Sequence, residues 1–138
     1  DYLEPNNREL FGDICTPAYY EKAMARIREQ FPEAVFFFFT NDPAWVKQHY
    51  AKEGNVIVEG AGEDNGYRDL YLMSRCRHHI LANSSFSWWG AWLNDRPDKV
   101  AIVPDRWLNG QDCRDIYCDW MKRDEEFLRR HKGCCMKK

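Results

Sequence analysis

The sequence predicts an α/β fold, a doubly wound parallel sheet with helices on both faces. Two observations carry this. From residue 16 onward, short apolar runs of strand length alternate with amphipathic helical stretches. One run, Ala34 to Thr40 (AVFFFFT), is apolar almost throughout, as in a strand buried on both faces of a parallel sheet.

Asp1 to Ile14 is polar and turn-rich, with Pro5, Asn6, Asn7 and Gly12, and reads as a loop. Thr16-Pro17 opens a helix, since Thr suits the N-cap and Pro the first helical position. Tyr20, Met24, Ile27 and Phe31 form its apolar stripe, and Pro32 stops it. The AVFFFFT strand follows, and its two-sided apolarity places Val35 to Phe39 in the centre of the sheet. Asn41-Asp42-Pro43 starts a second helix carrying Val46 and Tyr50, ended by Gly54, and Val56 to Val58 is a short strand.

Gly60 to Gly66 reads as a flexible loop with two acids, Glu63 and Asp64. A helix from about Tyr67 to Arg75 leads to a strand over His79 to Ala82. The next helix starts near Ser85 and carries Trp88, Trp89, Trp92 and Leu93. These tryptophans read as core packing, and Gly90 as a close approach to the sheet. Val100 to Val103 is a strand closed by Pro104. After a loop with Trp107, Gly110 and Cys113, the spacing of Trp120, Asp124, Phe127 and His131 predicts a last helix from Tyr117 to Arg130.

At 138 residues there is room for one domain. An apolar fraction of 44% with 15% aromatics provides a core and argues against disorder. Twenty Lys and Arg against 22 Asp and Glu leave a net charge of −2, which speaks against a nucleic-acid partner held by bulk charge. The longest apolar run, Ala34 to Phe39, is far below the roughly 20 residues of a membrane span. Nothing at the N-terminus marks secretion, so a cytoplasmic location is expected. The opening on Asp1 without Met reads as a piece of a longer chain. Cys15, Cys76, Cys113, Cys118, Cys134 and Cys135 contain no Cys-x-x-Cys and read as reduced thiols. A zinc site from Cys113, Cys118 and the Cys134/Cys135 pair is the weaker alternative, because vicinal cysteines are awkward tetrahedral ligands.

In this architecture ligands bind beyond the carboxyl ends of the strands. Two strand ends stand out. Asp42 follows one and could accept hydrogen bonds from a ribose or base edge, or simply cap the next helix. Asn83-Ser84-Ser85-Phe86-Ser87 joins a strand to a helix, where hydroxyls and free N–H groups suit a phosphate or diphosphate, although one serine could also be a plain cap. Asp69 could cap its helix or reach a nucleotide. His78 and His79 flank a strand entry, one of them directed at the edge of the core. There is no Gly-x-Gly-x-x-Gly and no P-loop.

The run from Asp69 to Asn94, with its serine-rich turn and Trp-Trp-Gly-Ala-Trp-Leu helix, resembles the signature of the α-1,2-fucosyltransferases of glycosyltransferase family 11. Cys15 with Tyr19-Tyr20, Phe39-Thr40-Asn41-Asp42-Pro43 with Trp45-Val46-Lys47, and Val100 to Pro104 with Trp107 are similar to further segments of that family, in the same order. Asn41 stands where the family has an acid. Asp1-Tyr2 resembles the end of its His-x-Arg-Arg-Gly-Asp-Tyr motif, whose arginine is absent here. The resemblance implies a Rossmann-like C-terminal nucleotide-sugar domain of a GT-B glycosyltransferase. It implies inverting transfer of L-fucose from GDP-β-L-fucose to the 2-hydroxyl of a galactose-terminated glycan, without a metal or other cofactor. By the same resemblance Ser84, Ser85, Phe86 and Ser87 meet the diphosphate, Asp42 and Asp69 the guanosine, and Asn83 and His78 support them. The general base is unassigned. With the motif arginine and the acceptor lobe missing, this chain alone is expected not to transfer fucose. The alternatives are a non-catalytic nucleotide- or phosphate-binding α/β module, such as a receiver-like domain, and a tryptophan-based carbohydrate-binding module. The first would need an acid cluster at the strand ends. The second is mostly built on β-sandwiches, contrary to the alternation here.

Overall fold

The computed structural model describes residues 5–51, 54–60 and 62–123. Ten elements follow in chain order: α1 (Pro5–Phe11), α2 (Pro17–Gln30), β1 (Phe37–Thr40), α3 (Pro43–Tyr50), β2 (Val56–Glu59), α4 (Gly66–Arg75), β3 (His79–Ile80), α5 (Ser85–Trp92), β4 (Ala101–Val103) and β5 (Met121–Arg123). Single 3-10 turns lie at Glu63–Asn65 and Arg114–Ile116. Every strand pair is parallel, in two small sheets: β1 beside β2, and β4 between β3 and β5. The alternation therefore produces parallel pairing, in two sheets where one was expected.

Side-chain alternation decides which helix covers which face. In β4, Ile102 points to Tyr19, Ala23 and Ile27 of α2, while Ala101 and Val103 point to Leu81 and to Ala91 of α5. The three-stranded sheet thus has helices on both faces. Tyr19 ties α2 to it by donating its hydroxyl to the carbonyls of Leu81 (2.7 Å) and Ile102 (3.2 Å). Tyr19→Phe keeps the ring and removes this donor from both carbonyls, of which Ile102's keeps the Leu81 N–H at 2.9 Å, so it should lower stability by about 1–3 kcal/mol in urea denaturation.

The β1–β2 sheet is different. Phe36, Phe38 and Ile57 pack against Met24, Val46 and Tyr50 from α2 and α3. On the opposite face Val35 and Phe37 remain 52% and 51% exposed. Val35 to Phe39 is therefore not a central strand among the described residues. Its regular part begins only at Phe37, and β2 is its one described neighbour. The side chains suit burial on two faces, and the described helices cover one.

Other departures have local causes. Residues 5–11 form a helix instead of a loop: proline fits a first helical position, and the far end is held by long-range hydrogen bonds described below. Residues 121–123 pair with β4 as a strand, not a helix, because Met121 is buried against the core while Lys122 and Arg123 stay partly open. The rest of the expected last helix, residues 124–130, and Cys134/Cys135 lie outside the described residues. Trp89 and Trp92 are 50% and 49% exposed, so the tryptophans are not all core. A helix on a sheet buries one stripe, and Ala91 occupies it. Trp88 is part-buried and donates its indole N–H to the Ile116 carbonyl at 3.0 Å. Gly90 permits approach to helix α4 rather than to the sheet: a Cβ there would come within 2.8 Å of the Met73 Cβ. Among the described residues no helix is long and apolar enough to cross a membrane.

Candidate nucleotide-sugar site

The carboxyl ends of the strands meet the starts of three helices, and most of the expected site residues fall there. Asp42 follows β1 after Asn41 and is the N-cap of α3; its Oδ1 accepts the Trp45 N–H at 3.0 Å. Thr40 Oγ1 accepts the N–H of Asp42 in turn. The capping role of Asp42 is thus realised, and its carboxylate is still exposed. Asp69 lies in the first turn of α4, where a carboxylate complements the helix dipole. Its Oδ2 is 3.4 Å from where a Cβ of Gly60 would sit, so the start of α4 leans on the end of β2.

The starts of α4 and α5 touch. The ring of Phe86 approaches the Cβ position of Gly66 at 3.4 Å. Ser84 is the N-cap of α5 with extended backbone, yet its side chain makes no capping hydrogen bond. The turn is therefore not an ordinary serine cap. Ser85 and Phe86 are exposed in the first turn of α5. The first N–H groups of a helix have no intrahelical acceptor, and those of α5 open at this edge. Ser87 is turned inward, its hydroxyl donating to the carbonyls of Ala82 (3.0 Å) and Ser84 (2.9 Å). It braces the turn.

Asn83 is 2% exposed and faces the protein, with its amide on backbone carbonyls. His78 is not brought to this edge. It precedes β3 at the opposite end, stacks on Phe31 at 4.1 Å, and its Nδ1 accepts the Val100 N–H at 3.1 Å. Its neighbour His79 is part-buried, and Asn94 holds its Nε2 at 2.8 Å. Burial, helped by the charges of Lys99 and His78, pushes the His79 ring down to about 4. Cys15, Cys76, Cys113 and Cys118 carry no disulfide. Burial pushes the Cys15 thiol up to about 11, the reverse of a reactive cysteine. No group of three or more His, Cys, Asp or Glu side chains among the described residues could hold a metal ion.

Sequence reasoning missed Asn109. Its amide donates to the carbonyls of Glu9 and Gly12, both at 3.0 Å, and fastens α1 against the segment after β4. No local pattern signals a bond across 100 residues. A concavity of about 240 Å³ lined by Trp92, Asn94, Asp95, Arg96, Lys99 and Trp120 sits at the carboxyl end of α5, away from the serine turn. Lys99 there serves as a tie at the end of α5, donating to the carbonyls of Ala91 and Asn94.

The family profile described as Glycosyl transferase family 11 matches residues 1–123. The chain belongs to that family. This family 11 chain is 36% identical over 111 residues to the O-antigen biosynthesis glycosyltransferase WbnK of Escherichia coli, a match covering 80% of the chain and 37% of the relative. It is 36% identical over 117 residues to an alpha-1,2-colitosyltransferase of Escherichia coli, covering 81% and 39%. It is 30% identical over 95 residues to galactoside alpha-(1,2)-fucosyltransferase 2 of Mus musculus, covering 67% and 27%. The chain thus spans less than two fifths of the length of these relatives. No solved structure matches it.

Proposed function

We propose that residues 1–138 are the donor-binding domain of an inverting α-1,2-fucosyltransferase of GT-B architecture. The substrates in this reading are GDP-β-L-fucose and the 2-hydroxyl of a galactose-terminated glycan. The observation that carries it is the Ser84-Ser85-Phe86 turn, which opens a helix at the end of a parallel strand with its serine hydroxyls unused by capping. When the sugar leaves, negative charge grows on the diphosphate. Helix N–H groups and small hydroxyl donors fixed in advance stabilise that charge without reorganising. Asp42 and Asp69, on neighbouring loops of the same edge, accept hydrogen bonds from the guanosine. Asp42 Oδ1 already accepts from the backbone, which orients the carboxylate. Ser87, part-buried, acts by fixing the turn.

A second reading exchanges fucose for colitose. It is favoured by the 36% identity to the colitosyltransferase against 28–30% to the fucosyltransferases. Both readings place a diphosphate leaving group at the same turn, and transfer assays of a full-length enzyme with the two nucleotide sugars separate them.

Calorimetry with GDP tests the shared claim. Ser85→Ala removes one exposed hydroxyl donor and should weaken GDP binding roughly ten- to a hundredfold with the melting temperature unchanged. Ser87→Ala should cost about 1 kcal/mol of stability instead. Unchanged GDP affinity in Ser85→Ala would mean that the serines only shape the helix start.

A further inference from the structure

We propose that Asn83 is a positioning residue for the donor site, holding the serine turn against two loops from distant parts of the chain. The inference rests on the donor-site reading above. Asn83 immediately precedes Ser84, and its side-chain amide donates to the Phe11 carbonyl at 3.1 Å and the Trp107 carbonyl at 3.2 Å. Those partners are 72 and 24 residues away, one at the end of α1 and one after β4. The side chain is 2% exposed, so no ligand reaches it and no water replaces what it binds.

An amide suits this place because its NH2 group has two donors, one for each carbonyl. Asp offers only acceptors, and Ser offers one donor on a shorter arm. The consequence is specific. Without the amide, the loops after α1 and β4 lose their link to the turn, and the first N–H groups of α5 lose their fixed aim. Diphosphate recognition depends on that aim, whereas guanosine contacts through Asp42 and Asp69 lie on other loops. Asn109 supplies the contrast: its amide holds residues 9–12 of the same α1 region through the carbonyls of Glu9 and Gly12.

The test compares wild type with Asn83→Ala and Asn109→Ala, each well below its own melting temperature. GDP and guanosine affinities are measured by calorimetry, and backbone hydrogen exchange is read over residues 9–15 and 105–109. In Asn83→Ala, GDP binding should weaken tenfold or more while guanosine binding stays within twofold, and exchange should rise in both segments. In Asn109→Ala, exchange should rise over residues 9–12 with GDP affinity within twofold. A folded Asn83→Ala chain with GDP affinity within twofold of wild type overturns the proposal, as does an equal loss for GDP and guanosine. Should Asn83→Ala fail to fold, Asn83→Ser is read by the same criteria. If wild type binds no GDP, the donor-site reading fails by itself. The tie is then judged by exchange alone: rising in both segments of the Asn83 variant upholds it, and unchanged exchange overturns it.

Discussion

Acidification from pH 6.5 to pH 4 should cost the folded chain about 3 kcal/mol through His79. The ring is part-buried, and Asn94 presents its amide NH2 to Nε2, which accepts only when it carries no proton. The folded-state value is about 4, against an ordinary value of 6.5. The unfolded chain therefore takes up the proton first. Above pH 6.5 both states are neutral and the full stability is present; it is lost as pH falls through the window between 6.5 and 4. A gap of this size corresponds to roughly 3 kcal/mol at 1.36 kcal/mol per pH unit. His78, lowered by burial and by Arg77, adds to the same slope. Urea midpoints at pH 7, 5.5 and 4.5 measure it, a range largely above carboxylate titration. His79→Gln should flatten the profile, and a wild-type slope identical to the variant's would show that His79 is not the cause.

Ile102→Ala is expected to cost about 2–5 kcal/mol. Ile102 is fully buried in the middle strand of the three-stranded sheet, packed against Tyr19, Ala23 and Ile27 of α2. Alanine would leave a cavity where the helix meets the sheet, beside the carbonyl that Tyr19 binds. For a domain whose whole stability is on the order of 5–15 kcal/mol, that loss is a large share. Denaturant unfolding measures it, and a change below about 1 kcal/mol would mean that α2 settles into the gap.

Those two positions also show how far the sequence can be read. Ile102 was legible, because Val100 to Val103 is an apolar run of strand length closed by a proline. Thr16-Pro17 and Asp42-Pro43 gave two helix starts correctly, since capping is a local interaction of three or four residues. The serine turn was equally local, and it opens α5 at Ser85 as expected. What was not legible depends on neighbours. Met121 joins a strand because β4 offers a free edge, and residues 117–123 alone do not reveal that. The division into two sheets and the open face at Val35 and Phe37 depend on which elements are there to cover them. At the site, Asp42 and Asp69 reach the expected edge, but the direction of Asn83 and the separation of His78 come from packing. Composition cannot distinguish an amide facing a ligand from one facing two carbonyls.

The central claim is that a nucleoside diphosphate sits at the start of α5. A backbone ¹H–¹⁵N NMR titration of the chain with GDP tests it most directly. The account predicts the largest shifts at the N–H groups of Ser85, Phe86 and Ser87, with a second set around Asp42 and Asp69. Saturating shifts confined to Trp92, Lys99 and Trp120 at the other end of α5, or no shifts at millimolar GDP, would contradict it.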